Sequence, residues 1–309
     1  MAKYLVTGGC GFIGSHLVEA LLAAGHDVSV LDDLSTGKRS NLPEGSVELV
    51  VGDVGDPAVV GAAMQGVDGC FHLAAIASVQ LSNQDWVGTH RVNLTGAIAV
   101  LDAARTANGN GPVPVVYASS AAVYGDNENL PLAETELPRP LTAYGADKLG
   151  CELHAMVAAA VHKIPTCGFR FFNVFGPRQD PNSPYSGVIS IFAAKLRAGQ
   201  PLTIYGDGHQ TRDFVYVSDV VRHLLAGMEG ASVAASVFNF CTGRETSVAV
   251  LAETMAAFLG APLKLEFLPS RPGDIRHSLG SPANAVSTLN VAAETTLASG
   301  LEQLFAAES

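Results

Sequence analysis

Two separated groups of residues in this chain have the types and spacing that redox chemistry requires. The first is a glycine-rich run from Thr7 to Gly14, and the second places Tyr144 and Lys148 four residues apart. Residues four apart on a helix lie on one face, so an ammonium group can lie beside the phenol and favour the phenolate, which can accept a proton. A glycine run of this kind can hold the pyrophosphate of a dinucleotide. Together the two groups predict an enzyme.

The glycine run lies where a nucleotide-binding turn is expected. It follows a short apolar stretch, residues 3–6, that predicts a buried strand, and it leads into helical apolar spacing from Ser15. In such a turn Gly8 permits the tight bend, Gly11 lets the backbone approach the pyrophosphate, and Gly14 lets the helix pack closely on its strand. The spacing is Gly-x-x-Gly-x-x-Gly, and a turn that serves only packing is the alternative interpretation.

A carboxylate indicates which dinucleotide is bound. The second predicted strand ends at Asp32, at about the distance past the glycines where an acid meets the ribose hydroxyls of adenosine. A carboxylate there would repel the 2′-phosphate of NADP. We therefore expect NAD as the cofactor, although Lys38 and Arg39 lie close by in the sequence.

Composition and charge narrow the classes of protein. The chain has 309 residues, 48% of them hydrophobic and 15% charged, which is typical of a compact globular protein with a large core. Its net charge of −11 argues against nucleic acid and an anionic membrane surface as partners. No apolar run reaches membrane-spanning length and no signal-peptide pattern is present, so we expect a cytoplasmic protein. The five cysteines and nine histidines show no metal-ligand spacing, and no metal is predicted.

The elements that must position these groups alternate between strand and helix in the first half of the chain. Three apolar runs each stop at small or polar residues, as expected where parallel strands end at a ligand crevice: 47–51, 69–73 and 113–118. This pattern predicts an α/β fold, a Rossmann-like doubly wound parallel sheet, with a smaller α/β C-terminal substrate lobe. We assign residues 1–170, with about 215–240, to the NAD-binding domain, and about 171–214 and 241–309 to the lobe.

A pair of serines strengthens the interpretation of Tyr144 and Lys148, whose spacing occurs by chance in many helices. Ser119 and Ser120 lie at the end of a predicted strand, about 24 residues before Tyr144. At that edge of the sheet a serine hydroxyl can share the proton path with the phenol.

The chain resembles a known family, the extended short-chain dehydrogenase/reductases, and within it the nucleotide-sugar epimerases of the UDP-galactose 4-epimerase type. The resemblance runs along nearly the whole chain and keeps the order of the family's motifs. They are residues 7–14, 119–125, 144–148, 170–176, 206–215 and 271–274.

The resemblance implies NAD-dependent epimerisation at C4 of a UDP-hexose through a transient 4-keto sugar. Tyr144 would remove the proton of the C4 hydroxyl with Ser120 bridging it, hydride would pass to NAD, and Lys148 would also hold the nicotinamide ribose. Related dehydratases and decarboxylases carry an acid or acid pair just after the catalytic hydroxyl, where this chain has Ala121 and Ala122. The oxidised sugar is therefore expected to take its hydride back.

The resemblance also assigns binding residues. The expected NAD contacts are Gly8, Gly11, Phe12, Ile13, Gly14, Asp32, Asp53, Val54, Leu73, Ala74, Ala75, Asn93, Ser119, Tyr144, Lys148 and Phe171. The expected UDP-sugar contacts are Ser120, Tyr144, Asn173, Val188, Tyr205, Arg212, Arg271, Asp274 and Ser278. Among them, Arg212 and Arg271 correspond to the arginines that hold the diphosphate. For Tyr205, and for the further candidates Arg178 and Arg276, the alternative is an ordinary surface or packing role.

One residue bears on the preferred sugar. In the family, a residue just after the Arg-x-Gly-Asp segment controls the space around C2, and counting from Asp274 gives Ser278. A small side chain there admits an N-acetyl group, so UDP-GlcNAc and UDP-GalNAc are expected as substrates beside UDP-Glc and UDP-Gal. The alternative is that Ser278 caps a turn.

Two other functions stay open. A UDP-glucuronate 4-epimerase, or another nucleotide-sugar epimerase, would keep the same tyrosine, lysine and serine. A non-catalytic dinucleotide-binding sensor commonly lacks the tyrosine and the lysine, so their presence weighs against it. Family members commonly dimerise through two helices, here residues 89–107 and 144–161, and a homodimer is expected.

Overall fold

A parallel sheet of seven strands forms the centre of the protein, in a computed structural model that describes residues 1–181, 183, 187–270 and 275–307. The strands are β1 (Lys3–Thr7), β2 (Asp27–Asp32), β3 (Glu48–Val51), β4 (Gly69–His72), β5 (Val115–Ser120), β6 (Thr166–Phe171) and β10 (Ser236–Phe240). Their order is β10-β6-β5-β4-β1-β2-β3, and all six neighbouring pairs are parallel. The chain leaves β1 toward β2 on one side and returns to β4 on the other, which is the Rossmann order of strands. The predicted fold class is confirmed.

Helices cover both faces of this sheet. The helices are α1 (Phe12–Ala23), α2 (Pro57–Ala63), α3 (Val79–Gln84), α4 (Trp86–His90), α5 (Gly96–Ala103), α6 (Ala143–His162), α8 (Val217–Gly230) and α10 (Ala283–Leu289). One core packs α1, α8 and α10 against the sheet, and a second core packs α2, α5 and α6 on the opposite face. Because both faces are covered, the inner strands are apolar along their length; Leu5, Val6, Phe71 and Val116 are all fully buried.

The helix predicted over residues 89–107 begins earlier, at Trp86, and contains a turn of a different kind. A single π-helical turn, Arg91–Thr95, separates α4 from α5, and α5 ends at Ala103. Apolar spacing gives no sign of this turn, because π-helical turns are rare and one added residue in a short segment is not resolved by a search for a period of 3.6.

The C-terminal part of the chain forms smaller sheets around a third core. Strands β7 (Asn173–Phe175), β9 (Thr211–Tyr216) and β11 (Glu245–Ser247) form one sheet, and β8 (Leu202–Tyr205) pairs with β12 (Leu265–Leu268). The helices are α7 (Val188–Arg197), α9 (Val248–Leu259) and α11 (Leu297–Ala307), whose apolar faces supply most of that core. The division of the chain into an NAD-binding domain and a lobe at the boundaries given above stays a prediction. Among the described residues, no helix has both the length and the apolar character needed for a bilayer crossing.

Candidate active site

A cavity of about 690 Å³ lies at the carboxyl ends of the sheet strands. Its walls come from the turn between β1 and α1, the ends of β2, β4, β5 and β6, the first turns of α6, and the chain that follows β6. In an open parallel sheet this edge, beside the point where the strand order reverses, is where ligands bind. The glycine run and the pair Tyr144 and Lys148, more than a hundred residues apart in the sequence, therefore line the same cavity.

The glycine turn is tightly packed at one wall of this cavity. Gly8 has φ +70°, and a Cβ on it would lie 2.8 Å from the backbone nitrogen of Ala74. A Cβ on Gly14 would lie 2.2 Å from the carbonyl oxygen of Gly8. Gly11 caps α1 without a side chain, and the first residues of the helix line the cavity, so that their backbone amides can receive an anionic ligand.

Asp32 lies at the end of β2 and is only 6% exposed. Its carboxylate accepts hydrogen bonds from the backbone N–H groups of Cys10 and Leu34, both at 2.9 Å. Burial raises the pKa of Asp32, while these hydrogen bonds act in the opposite direction. The nearby cation Lys38 binds Asp180 at 2.8 Å, so its charge is paired at the cavity wall.

Ser120, Tyr144 and Lys148 all line the cavity. Lys148 is 3% exposed; its Nζ donates to the carbonyl oxygen of Ala118 at 2.8 Å and lies 5.9 Å from the centre of the Tyr144 ring. The Oγ of Ser120 accepts a hydrogen bond from the backbone N–H of Ala122 at 3.2 Å. Lys148 and Ser120 are therefore bonded to backbone groups of β5 and of the turn that follows it, and Tyr144 lies near Lys148 on the same helix.

The start of α6 explains how Tyr144 reaches this position. Thr142 caps the helix by accepting a hydrogen bond from the N–H of Gly145 at 3.1 Å. A Cβ on Gly145 would lie 2.6 Å from the carbonyl oxygen of Ala122, so α6 packs directly on the 3₁₀ turn Ala121–Tyr124 that follows Ser120. This close packing brings the tyrosine and the serine to one place.

Thr7 and His72 are a feature of this site that sequence reasoning missed. The hydroxyl of Thr7 accepts from the N–H groups of Leu73 and Ala74, both at 3.2 Å, and lies 2.8 Å from Nδ1 of His72. Burial, with a smaller effect of the Lys148 charge, lowers the pKa of His72 to about 3, so the imidazole is neutral. These bonds join the ends of β1 and β4, and the threonine at the start of the glycine motif was the available signal.

Most of the expected contacts line this cavity. They are Gly8, Gly11, Phe12, Ile13, Gly14, Asp32, Asp53, Val54, Leu73, Ala74, Ala75, Ser119, Ser120, Tyr144, Lys148, Phe171 and Asn173. Asn93 is placed differently: it is buried, accepts from the N–H of Ile76 at 2.7 Å and donates to the carbonyl of the same residue at 3.1 Å. It holds the chain after β4 rather than lining the cavity.

The expected UDP-sugar contacts of the smaller lobe do not line the cavity formed by the described residues. They are Val188, Tyr205, Arg212 and Ser278. Val188 packs at the edge of the third core, and the carbonyl of Tyr205 accepts from Gln210. Arg212 donates to the carbonyl of Thr211 at 2.8 Å, and Ser278 is 8% exposed and donates its N–H to the same carbonyl. Arg271 and Asp274 lie outside the described residues.

Two other arginines make contacts that sequence reasoning did not foresee. Arg178 binds Ser15 at 3.0 Å and Glu19 at 2.6 Å, both on α1, and so ties the chain after β7 to this helix. Arg91, within the π-helical turn, lines the cavity and binds Asp53 at 2.5 Å. Neither contact has a local sequence signal, because the partners are distant in the chain.

Comparison with known proteins agrees with this geometry. The model of the NAD dependent epimerase/dehydratase family matches residues 4–241. A UDP-glucose 4-epimerase of Mycolicibacterium smegmatis is 38% identical over 97% of this chain and 96% of its own length. The structure of a UDP-glucose 4-epimerase of Thermotoga maritima with UDP-glucose is similar with a TM-score of 0.93 and 34% identity, covering 98% of this chain and 97% of that one.

A third relative has a different sugar in its name. The structure of a UDP-N-acetylglucosamine 4-epimerase of Methanobrevibacter ruminantium, in complex with UDP-N-acetylmuramic acid, is similar with a TM-score of 0.91 and 33% identity, covering 100% of this chain and 99% of that one. Together with the match to the family model, these similarities show that the chain belongs to the NAD-dependent epimerase/dehydratase family, within the extended short-chain dehydrogenase/reductases.

Proposed function

We propose that this protein catalyses the NAD-dependent epimerisation of a UDP-hexose at C4, interconverting UDP-glucose and UDP-galactose through a 4-keto sugar. The observation that carries the proposal is the meeting of Ser120, Tyr144 and Lys148 with the glycine turn in one cavity. The relatives named above support the same reaction and the same class of substrate.

The residues of the cavity fit NAD. The glycine turn leaves a cradle that a Cβ at Gly8 or Gly14 would fill, and Asp32 places a carboxylate at the end of β2. When bound, NAD supplies the acceptor for the hydride that leaves C4 and the donor that returns it. The side chains of the protein must then remove the proton from the C4 hydroxyl and return it.

In the proposed mechanism Tyr144 accepts the proton of the C4 hydroxyl, and Ser120 bridges the sugar oxygen and the phenol. Lys148 keeps a positive charge beside the phenol and is held there by the carbonyl of Ala118. After the keto sugar has rotated to present the opposite face of C4 for return of the hydride, Tyr144 gives the proton back to the C4 oxygen. No net oxidation occurs, so the cofactor is not consumed.

The absence of an acid beside Ser120 favours epimerisation over elimination. The turn after Ser120 carries Ala121 and Ala122, which supply no carboxylate. The carboxylates that line the cavity within the described residues have other contacts: Asp32 with backbone amides, Asp33 with Ser35, Asp53 with Arg91, Asp85 with the cap of α4, and Asp180 with Lys38. This turn therefore offers the 4-keto sugar no carboxylate that could remove a proton from the carbon next to the keto group.

The diphosphate and the sugar are proposed to contact the smaller lobe. Asn173 lines the cavity at the start of β7 and is proposed to bind the sugar. Arg212, with Arg271 and Asp274 outside the described residues, is proposed to bind the UDP part. Ser278 is proposed to leave room at C2, which extends the substrates to UDP-GlcNAc and UDP-GalNAc.

The proposal is tested with a panel of UDP-Glc, UDP-GlcNAc and UDP-GlcA, using NMR to follow inversion at C4. The wild type should invert UDP-Glc, and Tyr144→Phe should lose roughly 10²- to 10⁴-fold in turnover while still binding NAD and UDP. Tyr117→Phe is a matched control, because its buried hydroxyl has no hydrogen-bond partner among the described residues. Inversion of UDP-GlcA alone would identify a glucuronate epimerase, and inversion of none would identify a sensor.

A homodimer is proposed on the basis of an apolar stripe on α6. Leu153, Val157 and Val161 follow one another at intervals of four residues and are each more than half exposed. On the neighbouring α4, Trp86 and Val87 are exposed as well. A stripe of this kind on two adjacent helices suits a second copy of the chain across a two-fold axis.

The dimer is tested by analytical ultracentrifugation. Val157→Arg should give a monomer, whereas Val233→Arg, at an equally exposed valine in the loop after α8, should remain dimeric. A monomeric wild type at micromolar concentration would refute the dimer. We further propose a cytoplasmic location, because all five cysteines are unpaired thiols, as in a reducing compartment.

A further inference from the structure

A buried ion pair lies directly behind the proposed catalytic residues. Glu152 lies on α6 one turn beyond Lys148 and two turns beyond Tyr144, on the same face of the helix. Arg170 of β6 binds it with both ends of its guanidinium, Nε to Oε1 at 2.9 Å and Nη2 to Oε2 at 2.8 Å. Glu152 and Arg170 are 4% and 5% exposed, and neither lines the cavity.

This ion pair is bonded to both ends of the segment that carries Ser120. At one end, the hydroxyl of Ser119 donates to Oε1 of Glu152 at 2.5 Å. At the other end, Nη1 of Arg170 donates to the hydroxyl of Tyr124 at 2.8 Å, and that hydroxyl donates to Asn239 at 2.6 Å. Burial raises the pKa of Tyr124 to about 12, which keeps this donor protonated.

A charged pair is an uncommon choice for such a position. Apolar side chains of similar volume commonly stabilise a core as well as a buried ion pair does, so stability alone gives no reason for it. The pair adds a fixed orientation, because a planar guanidinium bound to two carboxylate oxygens sets the angle between the two side chains as well as their distance. Through these side chains it links the helix of Tyr144 to the segment that carries Ser120.

We propose that Glu152 and Arg170 are positioning residues that set the distance between the Ser120 hydroxyl and the Tyr144 phenol. They act through Ser119 and Tyr124 and touch neither sugar nor cofactor. The inference rests on the proposed function, because it assigns these two hydroxyls to one proton path. An error of about 1 Å in such a path can cost on the order of a hundredfold in rate.

The main test is Glu152→Gln, which keeps the size of the side chain and removes its charge. We expect kcat per folded molecule to fall roughly 10- to 100-fold, with KM for UDP-glucose and NAD content nearly unchanged. The deuterium isotope effect with sugar labelled at C4 should rise, because the misaligned chemical step becomes slower than product release. A purely structural role would change neither kcat per folded molecule nor the isotope effect.

Asp219→Asn is the matched control, since Asp219 is also a buried carboxylate bound to an arginine, Arg222, and lies outside the cavity lining. It should lower thermal stability and leave kcat per folded molecule and the isotope effect unchanged. Wild-type kcat in Glu152→Gln, or a loss confined to KM or to NAD content, overturns the proposal. So does an equal loss of kcat in Asp219→Asn.

A second variant decides the matter if Glu152→Gln does not fold. Tyr124→Phe keeps the ring, which lies 4.8 Å from the guanidinium of Arg170, and removes only the bridging hydroxyl. A several-fold lower kcat at unchanged KM supports the proposal, and an unchanged kcat overturns it. Failure of the proposed function is seen separately, because the wild type would then invert no UDP-sugar.

Discussion

Gly14→Ala should weaken NAD binding although alanine is the better helix former. A Cβ on Gly14 would lie 2.2 Å from the carbonyl oxygen of Gly8, about 1 Å closer than the ~3.3 Å of a close carbon–oxygen contact. The next atoms it would meet, at 2.8 and 2.9 Å, also belong to the backbone of the turn. No side-chain rotation can relieve this overlap, so α1 must move away from the glycine turn.

The size of the effect follows from the cost of this overlap. Overpacking of this kind typically costs about 1–3 kcal/mol, whereas the helix propensity of alanine acts equally with and without NAD and cancels. The middle of that range, about 2 kcal/mol, is taken as the cost of restoring the turn that NAD requires. Because about 1.4 kcal/mol corresponds to a factor of ten in affinity, Kd for NAD should rise roughly 30-fold.

The assay is a calorimetric titration of NAD into apoenzyme, with Gly61→Ala as the matched control. Gly61 also lies within a helix, α2, but a Cβ there meets no atom within 4 Å. That variant should gain up to about 1 kcal/mol in stability and bind NAD as the wild type does. Equal NAD affinity in Gly14→Ala and the wild type would refute the assignment of this close contact to the cofactor site.

Three other perturbations probe the cofactor, the sugar and acid stability. Asp32→Ala should weaken the binding of NAD and reduce the preference for NAD over NADP. A wild type that binds NADP more tightly than NAD in the same titration would contradict this. Ser278→Tyr should lower kcat/KM for UDP-GlcNAc far more than for UDP-Glc, whereas an unchanged ratio would remove Ser278 from the sugar site. Burial lowers the pKa of His223 from 6.5 to about 4. Between these two pH values the imidazole is protonated in the unfolded chain and neutral in the folded one, so the free energy of unfolding falls as the pH falls from 6.5 toward 4. Urea titrations should show a shallower fall in His223→Gln, and equal slopes would contradict the shift.

The part of the site that lies on the parallel sheet was largely open to prediction from sequence. Strand ends can be read from apolar runs, and in a parallel sheet they meet at one edge, so the glycine turn, Asp32 and Ser120 were expected near one another. Tyr144 and Lys148 joined them through helical spacing, which is a local rule. The structure places all five in the lining of one cavity.

Contacts that depend on packing between distant loops were beyond such reasoning. Lys38 and Asp180 are 142 positions apart and meet at the cavity wall, and no periodic pattern links them. The hydrogen bonds between Asn93 and the backbone of Ile76 had no signal in the sequence either, because the two residues are 17 positions apart and lie on different elements; a contact of Asn93 with NAD stays a prediction. In the smaller lobe, the position of Ser278 follows from its pairing with Thr211, which sequence spacing could not give.

The two adjacent serines have different hydrogen-bond partners in the structure. Successive residues of a strand point to opposite faces, so Ser119 and Ser120 cannot both turn their hydroxyls the same way. The Ser119 hydroxyl donates its proton to Glu152 in the buried network. The Ser120 oxygen accepts from the N–H of Ala122, and within the described residues its proton is donated to no protein group. This difference supports the proposed mechanism, in which the Ser120 proton is shared with a sugar oxygen and the Tyr144 phenol and Ser119 belongs to the positioning network.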